Sequence, residues 1–242
     1  MPQTGAPRPC ATCGVRRASV CDAIPETDLA RLAAAAIGGV AKPGEVIIDE
    51  AEPAAAFFNV TDGTARLYKL LPDGRRQITG FATAGDFLGL AASGNYAVSA
   101  QAIDTVGYCR FSHARLRALT YDFPLMERRL LKFASTQLVA AQEQMLLLGR
   151  KSARERMASF LLTRSRLSSA RQQSATHFVL PMARGDIADY LGMTIETAVR
   201  TLKKLRNEGM IEVTNTQDVA ITDFILLRRL ADGHARSDTG QL

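Results

Sequence analysis

Three of the four cysteines in this 242-residue chain fall at Cys10, Cys13 and Cys21, within the stretch CATCGVRRASVC. Their spacing is C-x2-C-x7-C, and the fourth, Cys109, stands alone in GYCRF. Thiolates are soft ligands that suit iron–sulfur clusters or zinc. The N-terminus MPQTGAPRPCATCG lacks the apolar core of a secretory signal, so a cytoplasmic, reducing setting is expected. There, clustered thiols point to a metal or to redox chemistry rather than to structural disulfides. Three readings stay open at this point: a four-thiolate [4Fe-4S] cluster, structural zinc, and plain thiol oxidation without metal. Structural zinc more often uses two short C-x2-C pairs. Arg16 and Arg17 are expected to favour the deprotonated thiols.

The second chemistry-bearing segment is MARGDIADYLGMTIETAVRTLKKLRNEGMI, residues 182–211. Ile187, Ala188 and Leu191 share one face of a first helix. Gly192 supplies the tight turn of a helix-turn-helix, and Thr194 a natural N-cap for the second helix. Ile195, Val199, Leu202 and Leu205 are expected to pack inward, leaving Glu196, Arg200, Lys203 and Lys204 on the other side. Glu196 and Arg200, at i and i+4, could form a surface ion pair worth a few tenths of a kcal/mol. Alternatively, Arg200 reads guanine at O6 and N7 while Glu196 accepts from cytosine N4. Lys203, Lys204 and Arg206 would then anchor phosphates. NEGMIEVTNTQDVAIT follows as a turn and a two-stranded wing.

Other elements must position these groups. Hydrophobic residues make up 47% of the chain and charged residues 22%, enough apolar material for a globular core. No apolar run reaches the ~18 residues of a membrane-spanning helix, so no membrane partner is expected. The net charge is +6, with Lys and Arg crowded into the second half, which suggests a polyanion such as double-stranded DNA. Residues 26–37 read as a short helix. Between about 40 and 111, short apolar runs alternate with glycines, and the turn PDG at 72–74 predicts a hairpin. This texture suggests a small antiparallel barrel or sandwich. Along 123–149, Leu131, Ala134, Leu138, Ala141, Met145 and Leu148 form a heptad seam, expected to pair two copies of the chain. Met126, Leu130 and Phe133 form a second stripe available to the chain's own core. His113, His177 and His234 are scattered and Ser and Asp residues form no nucleophile motif, so no enzymatic activity is expected.

The segments RGDIADYLGMTIETAVRTL and NVTDGTARLYKLLPDGRRQITGFATAGDFLGL make the chain resemble the cyclic-AMP receptor/FNR superfamily of transcription regulators. The likeness runs from about residue 10 to 225 in one register and is nearest to the oxygen-responsive iron–sulfur branch. It implies an α+β fold: an N-terminal antiparallel β-roll of the cyclic-nucleotide-binding type, a long dimerisation helix and a C-terminal winged helix-turn-helix. The implied divisions are a cysteine-bearing loop at 1–24, the sensor at 25–122, the helix at 123–150 and the DNA-binding domain at 151–242.

The resemblance favours the [4Fe-4S] reading, with Cys10, Cys13, Cys21 and Cys109 as ligands, oxygen as the signal and a homodimer as the DNA-binding form. It implies that Glu196 and Arg200 read the G·C pair of a TTGAT-like half-site. Val199 stands where the family usually has Ser, and can touch only a thymine methyl. Gly85-Asp86-Phe87 and Ala97-Val98-Ser99-Ala100 lack the Arg that would pair a cyclic phosphate, so no cyclic nucleotide is expected. Ala141 replaces a seam Asp of the family, so the cluster-free dimer should be less penalised. The loop Asp73-Gly74-Arg75-Arg76 is either a site for RNA polymerase or a solvated hairpin.

Overall fold

The computed structural model describes residues 10–90, 94–171, 173–215 and 217–234. Residues 1–9 of the expected N-terminal loop and 235–242 of the expected DNA-binding domain lie outside these. The chain divides into two compact units, Met1–Ala140 and Ala141–Leu242.

The first unit begins with 3-10 turns at Cys10–Thr12, Arg16–Ala18, Val20–Ala23 and Glu26–Asp28, and then α1 (Leu29–Ala35). The helix expected over 26–37 is thus shorter, because Ile37 already belongs to a strand. Strands β1 (Ile37–Ala41), β2 (Val46–Ile48), β3 (Ala56–Asp62) and β4 (Thr64–Leu70) follow. After them come β5 (Arg76–Thr83), β6 (Phe87–Leu88), β7 (Ser99–Ala102) and β8 (Val106–Ser112). They form two antiparallel four-stranded sheets, in the orders β1-β8-β3-β6 and β2-β7-β4-β5. Ile48, Val60, Ala65, Ala100 and Val106 fill the core of this roll. The small alanines limit the space left inside it.

The β4–β5 hairpin turns at the expected PDG. Gly74 takes φ +83°, which an L side chain rarely adopts. Asp73 Oδ1 accepts from the Arg75 N–H at 3.0 Å. Where a cyclic phosphate would need its countercharge, local bonds occupy the polar groups. Asp86 Oδ2 accepts from Thr83 N at 2.8 Å, and Ser99 Oγ accepts from Glu50 N at 2.9 Å.

Helix α2 (His113–Asp122) starts on a Ser112 N-cap, and α3 (Pro124–Arg150) follows. Met126 is fully buried, and Leu130 and Phe133 pack on the same cluster as Phe87, Phe111 and Leu116. The second stripe therefore serves the chain's own core, as its spacing suggested. Burial of one such side chain contributes roughly 1.5–3 kcal/mol.

The second unit holds α4 (Ala153–Ala170), β9 (His177–Val179), α5 (Arg184–Leu191), α6 (Ile195–Asn207), β10 (Ile211–Val213), β11 (Asp218–Ile221) and α7 (Phe224–Ala231). Ser152 and Glu155 form a capping box that starts α4. The wing has three strands rather than the expected two, in the order β10-β11-β9. Phe178 of β9 pairs with Val219 in register and is buried, which joins the strand before the helix-turn-helix to the hairpin after it.

Candidate functional site

The N-terminal segment is wound by its own backbone. Cys13 N–H donates to Cys10 O at 3.4 Å, Arg16 N–H to Cys13 O at 3.3 Å, and Ser19 N–H to Arg16 O at 3.1 Å. Ser19 Oγ then accepts from Cys21 N–H at 3.2 Å. Val20, Cys21, Ala23 and Ile24 are buried beside Leu32, Phe87 and Phe111. This part of the segment is thus packed into the core, where a loop was expected over 1–24. From α3, Arg129 forms an ion pair with Asp22 and donates to Ser19 O at 3.5 Å.

Cys109 sits in β8, paired with Gly38 of β1 on one side and Asn59 of β3 on the other. Cys10, Cys13, Cys21 and Cys109 all line one cavity of about 210 Å³. Gly38 presents no side chain to fill the space next to Cys109. Among the described residues, no three His, Cys, Asp or Glu side chains converge closely enough to chelate a single ion. The soft, all-sulfur donor set of the four cysteines has the chemistry of an iron–sulfur or a zinc site.

Electrostatics at the thiols differ from the expectation. Burial pushes Cys21 up to about 12, with the neighbouring thiols adding to the rise and the Ser19 hydroxyl opposing it. Burial likewise pushes Cys109 up to about 11, and Cys10 is raised for the same reason. Arg16 lowers Cys10 only as the weakest of four causes. Its guanidinium is committed to Ile24 O at 3.3 Å and Glu26 Oε1 at 3.2 Å. Arg17 is exposed. The arginines therefore do not produce thiolates here. Desolvation keeps these thiols protonated until a cation displaces the proton, since a coordinating thiol is deprotonated outright.

The second candidate region is α6. Gly192 ends α5 in the left-handed region at φ +59°, and Thr194 caps α6 by accepting from Thr197 N–H at 3.2 Å. Ala198, Thr201, Leu202 and Leu205 are the buried residues of α6. Ile195 and Val199, expected inward, are 52% and 48% exposed. Small Ala198 and Thr201 take the inner positions instead, allowing close approach to the rest of the unit. Val199 consequently shares the exposed side with Glu196, Arg200, Lys203 and Lys204. It is therefore not a core residue. Arg200 Nη2 approaches Thr197 Oγ1 at 3.5 Å rather than pairing with Glu196. Glu196 is held below the usual carboxylate range by its own backbone N–H at the helix start and by Thr194.

Sequence reasoning missed the group that braces this region. Arg156 Nε donates to Lys151 O at 2.9 Å, and its Nη2 to Leu148 O at 2.8 Å. Its Nη1 donates to Leu191 O at 2.9 Å and Gly192 O at 3.2 Å. One guanidinium thus joins the last turn of α3 to the turn of the helix-turn-helix. An Arg in a polar helix carries no sequence signal for that role.

Of the expected seam on α3, Leu131, Ala134, Leu138, Ala141 and Met145 are exposed, Leu131 by 68%. Leu148 departs from them. It is half-buried, and its Cδ2 would lie 3.1 Å from a Cβ placed on Gly192.

A roll followed by a long helix and a winged helix-turn-helix defines a class of DNA-binding regulators. The chain matches the Crp-like helix-turn-helix domain over residues 155–230 and the cyclic nucleotide-binding domain over 40–121. It is 43% identical over 205 residues to the nitrogen fixation regulation protein FixK of Bradyrhizobium diazoefficiens, covering 84% of this chain and 86% of that one. It is 45% identical over 206 residues to the transcriptional activatory protein AadR of Rhodopseudomonas palustris, covering 83% and 84%. The solved structure of FixK2 from Bradyrhizobium japonicum superposes with a TM-score of 0.75 at 35% identity, covering 81% and 96%. The chain belongs to the CRP/FNR superfamily, as a DNA-binding transcription regulator of the FNR/FixK type. It is not an enzyme. No helix among the described residues is long and apolar enough to cross a membrane.

Proposed function

We propose that this regulator senses oxygen through a [4Fe-4S] cluster held by Cys10, Cys13, Cys21 and Cys109, and that as a homodimer it binds a TTGAT-like palindrome. One observation carries the reading. Cys10, Cys13 and Cys21 from the N-terminal segment and the remote Cys109 from β8 line a single cavity. When bound, the cluster supplies an oxygen-labile link between the N-terminal segment and β8.

The chain's own residues do the rest. Asp22 follows Cys21 directly and is paired to Arg129, so displacement of the segment is felt on α3. On α3, Leu131, Leu138 and Met145 offer apolar surface to a second copy, and Ala134 and Ala141 allow close approach. Two α6 helices about 34 Å apart would read the two half-sites. Arg200 takes the guanine, Glu196 the opposed cytosine, and Lys203 and Lys204 the phosphates. Val199, exposed on the same side, touches a thymine methyl. Asp73, Gly74 and Arg75 are exposed at the hairpin tip, which contacts RNA polymerase. No cyclic nucleotide takes part.

The test is anaerobic purification with iron, sulfide and zinc analysis and a visible spectrum, followed by gel shift on a TTGAT-N4-ATCAA duplex before and after air. A brown protein that loses DNA affinity in air is expected, with the response absent in Cys109→Ser. A colourless protein carrying zinc or no metal would refute the cluster.

A further inference from the structure

Asn59 is out of place for a strand core. It lies in AFFNV, between buried Phe58 and Val60, and is itself 2% exposed. Its side-chain Oδ1 is buried with no hydrogen-bond partner. An unmet polar group of this kind weakens a fold, and native structures hold few without a reason.

Register explains the position. Directly paired residues of antiparallel strands project on the same face. One such row runs across the sheet: Gly38 of β1, Cys109 of β8, Asn59 of β3 and Phe87 of β6. Alternation puts Phe57 on that same face, and it packs with Phe87 and Phe111 against the cluster that includes Cys21. Asn59 is therefore a buried polar member of that face, immediately beside Cys109, and with Thr61 it lines the cavity of the four cysteines. A carboxamide has an acceptor end and a donor end, exchanged by a half-turn of the side chain. Four thiolates around an inorganic sulfur core present acceptors only. Donors around such a core set its potential and lability.

We infer that Asn59 is a positioning residue of the sensor, whose Nδ2–H group donates a hydrogen bond to sulfur of the cluster and slows its loss in air. The inference rests on the cluster reading. Such a bond draws electron density from sulfur, which makes the cluster harder to oxidise. With the carboxamide turned by half, Nδ2 takes the position now held by the unpartnered Oδ1, which puts a donor where a bonding partner is missing.

One substitution should act in opposite directions on the loaded and the cluster-free protein. Asn59→Leu keeps the volume and removes the polar atoms. The cluster-loaded full chain should then lose its visible absorbance in air about tenfold faster, the lower end of what such supporting contacts are worth. The cluster-free Asn59→Leu protein should instead melt at a higher temperature than cluster-free wild type. Asn59→Thr, with a hydroxyl donor on a strand-compatible side chain, should recover part of the lifetime. A residue needed merely for packing would lower both quantities. Equal bleaching rates in wild type and Asn59→Leu, or faster bleaching accompanied by a lower melting temperature without cluster, overturns the inference. A wild type that takes up no iron or sulfide overturns the cluster reading itself, and this inference with it.

Discussion

Replacing Arg156 with methionine removes one side chain and four hydrogen bonds. The acceptors are Lys151 O, Leu148 O, Leu191 O and Gly192 O, at 2.9, 2.8, 2.9 and 3.2 Å. A bond to a charged group contributes about 1.5–3 kcal/mol when fully formed. The four share one cation, and the carbonyls near the surface would recover water. Two full bonds at the lower figure is the appropriate weight, about 3 kcal/mol. The stability of a whole domain is about 5–15 kcal/mol, so this loss is large. In a unit of about one hundred residues, each kcal/mol moves the midpoint by roughly 4–8 °C. The transition of the C-terminal unit should therefore fall by about 12–24 °C in differential scanning calorimetry. Lysine keeps the charge but can serve only part of the fork, so Arg156→Lys should lie between. A methionine variant melting within about 4 °C of wild type would refute the idea that this guanidinium braces the turn between α5 and α6.

Further outcomes test other parts of the molecule. Leu138→Glu puts a carboxylate into the exposed seam of α3 and should give a monomer in analytical ultracentrifugation; an unchanged dimer would place the interface elsewhere. With Ala141 in place of an acidic residue, aerobic cluster-free wild type should still sediment partly as dimer, and a purely monomeric species would count against that. Arg200→Ala should relax discrimination at the guanine by roughly 1–3 kcal/mol, whereas Lys203→Ala should weaken all sequences alike and reduce the salt slope by about one, both read by titration of labelled duplexes. The buried thiols also make the metal-free protein sensitive to alkali. Cys21 and Cys109 are raised to about 12 and about 11, so at pH 10 the unfolded chain has released protons that the folded chain retains. Stability is then complete below the ordinary thiol range and falls as pH rises through it toward 11–12, which urea titrations across pH 7 to 11 would show. Cys21→Ala should flatten that fall.

The C-terminal half was legible because its signals are local. Gly192 must turn, Thr194 must cap, and the chain between them leaves no other arrangement. The PDG hairpin was legible for the same reason. What escaped was set by neighbours far away in the chain. Val199 and Ile195 look like core residues by type, yet close packing selected Ala198 and Thr201 for the inner face. The strand β9 reads as an isolated run until its pairing with β11 makes it part of the wing. Helix α2 has a weak apolar pattern and gave no signal. The four cysteines were recognisable as a set, but the forces on them were not. Charge near Arg16 suggested easy ionisation, whereas burial decides the outcome at Cys10, Cys21 and Cys109. Asn59 was invisible within an apolar run, because only strand register sets it beside Cys109.

The N-terminal turns carry a practical consequence. Val20, Cys21, Ala23 and Ile24 form the oily floor shared with Phe87, Phe111 and Met126. Trimming that leader to mimic a blind sensor would strip the floor bare and invite clumping. The faithful blank for cofactor studies is a full-length chain with its thiols exchanged one at a time, since deletion would confound loss of signal with loss of solubility.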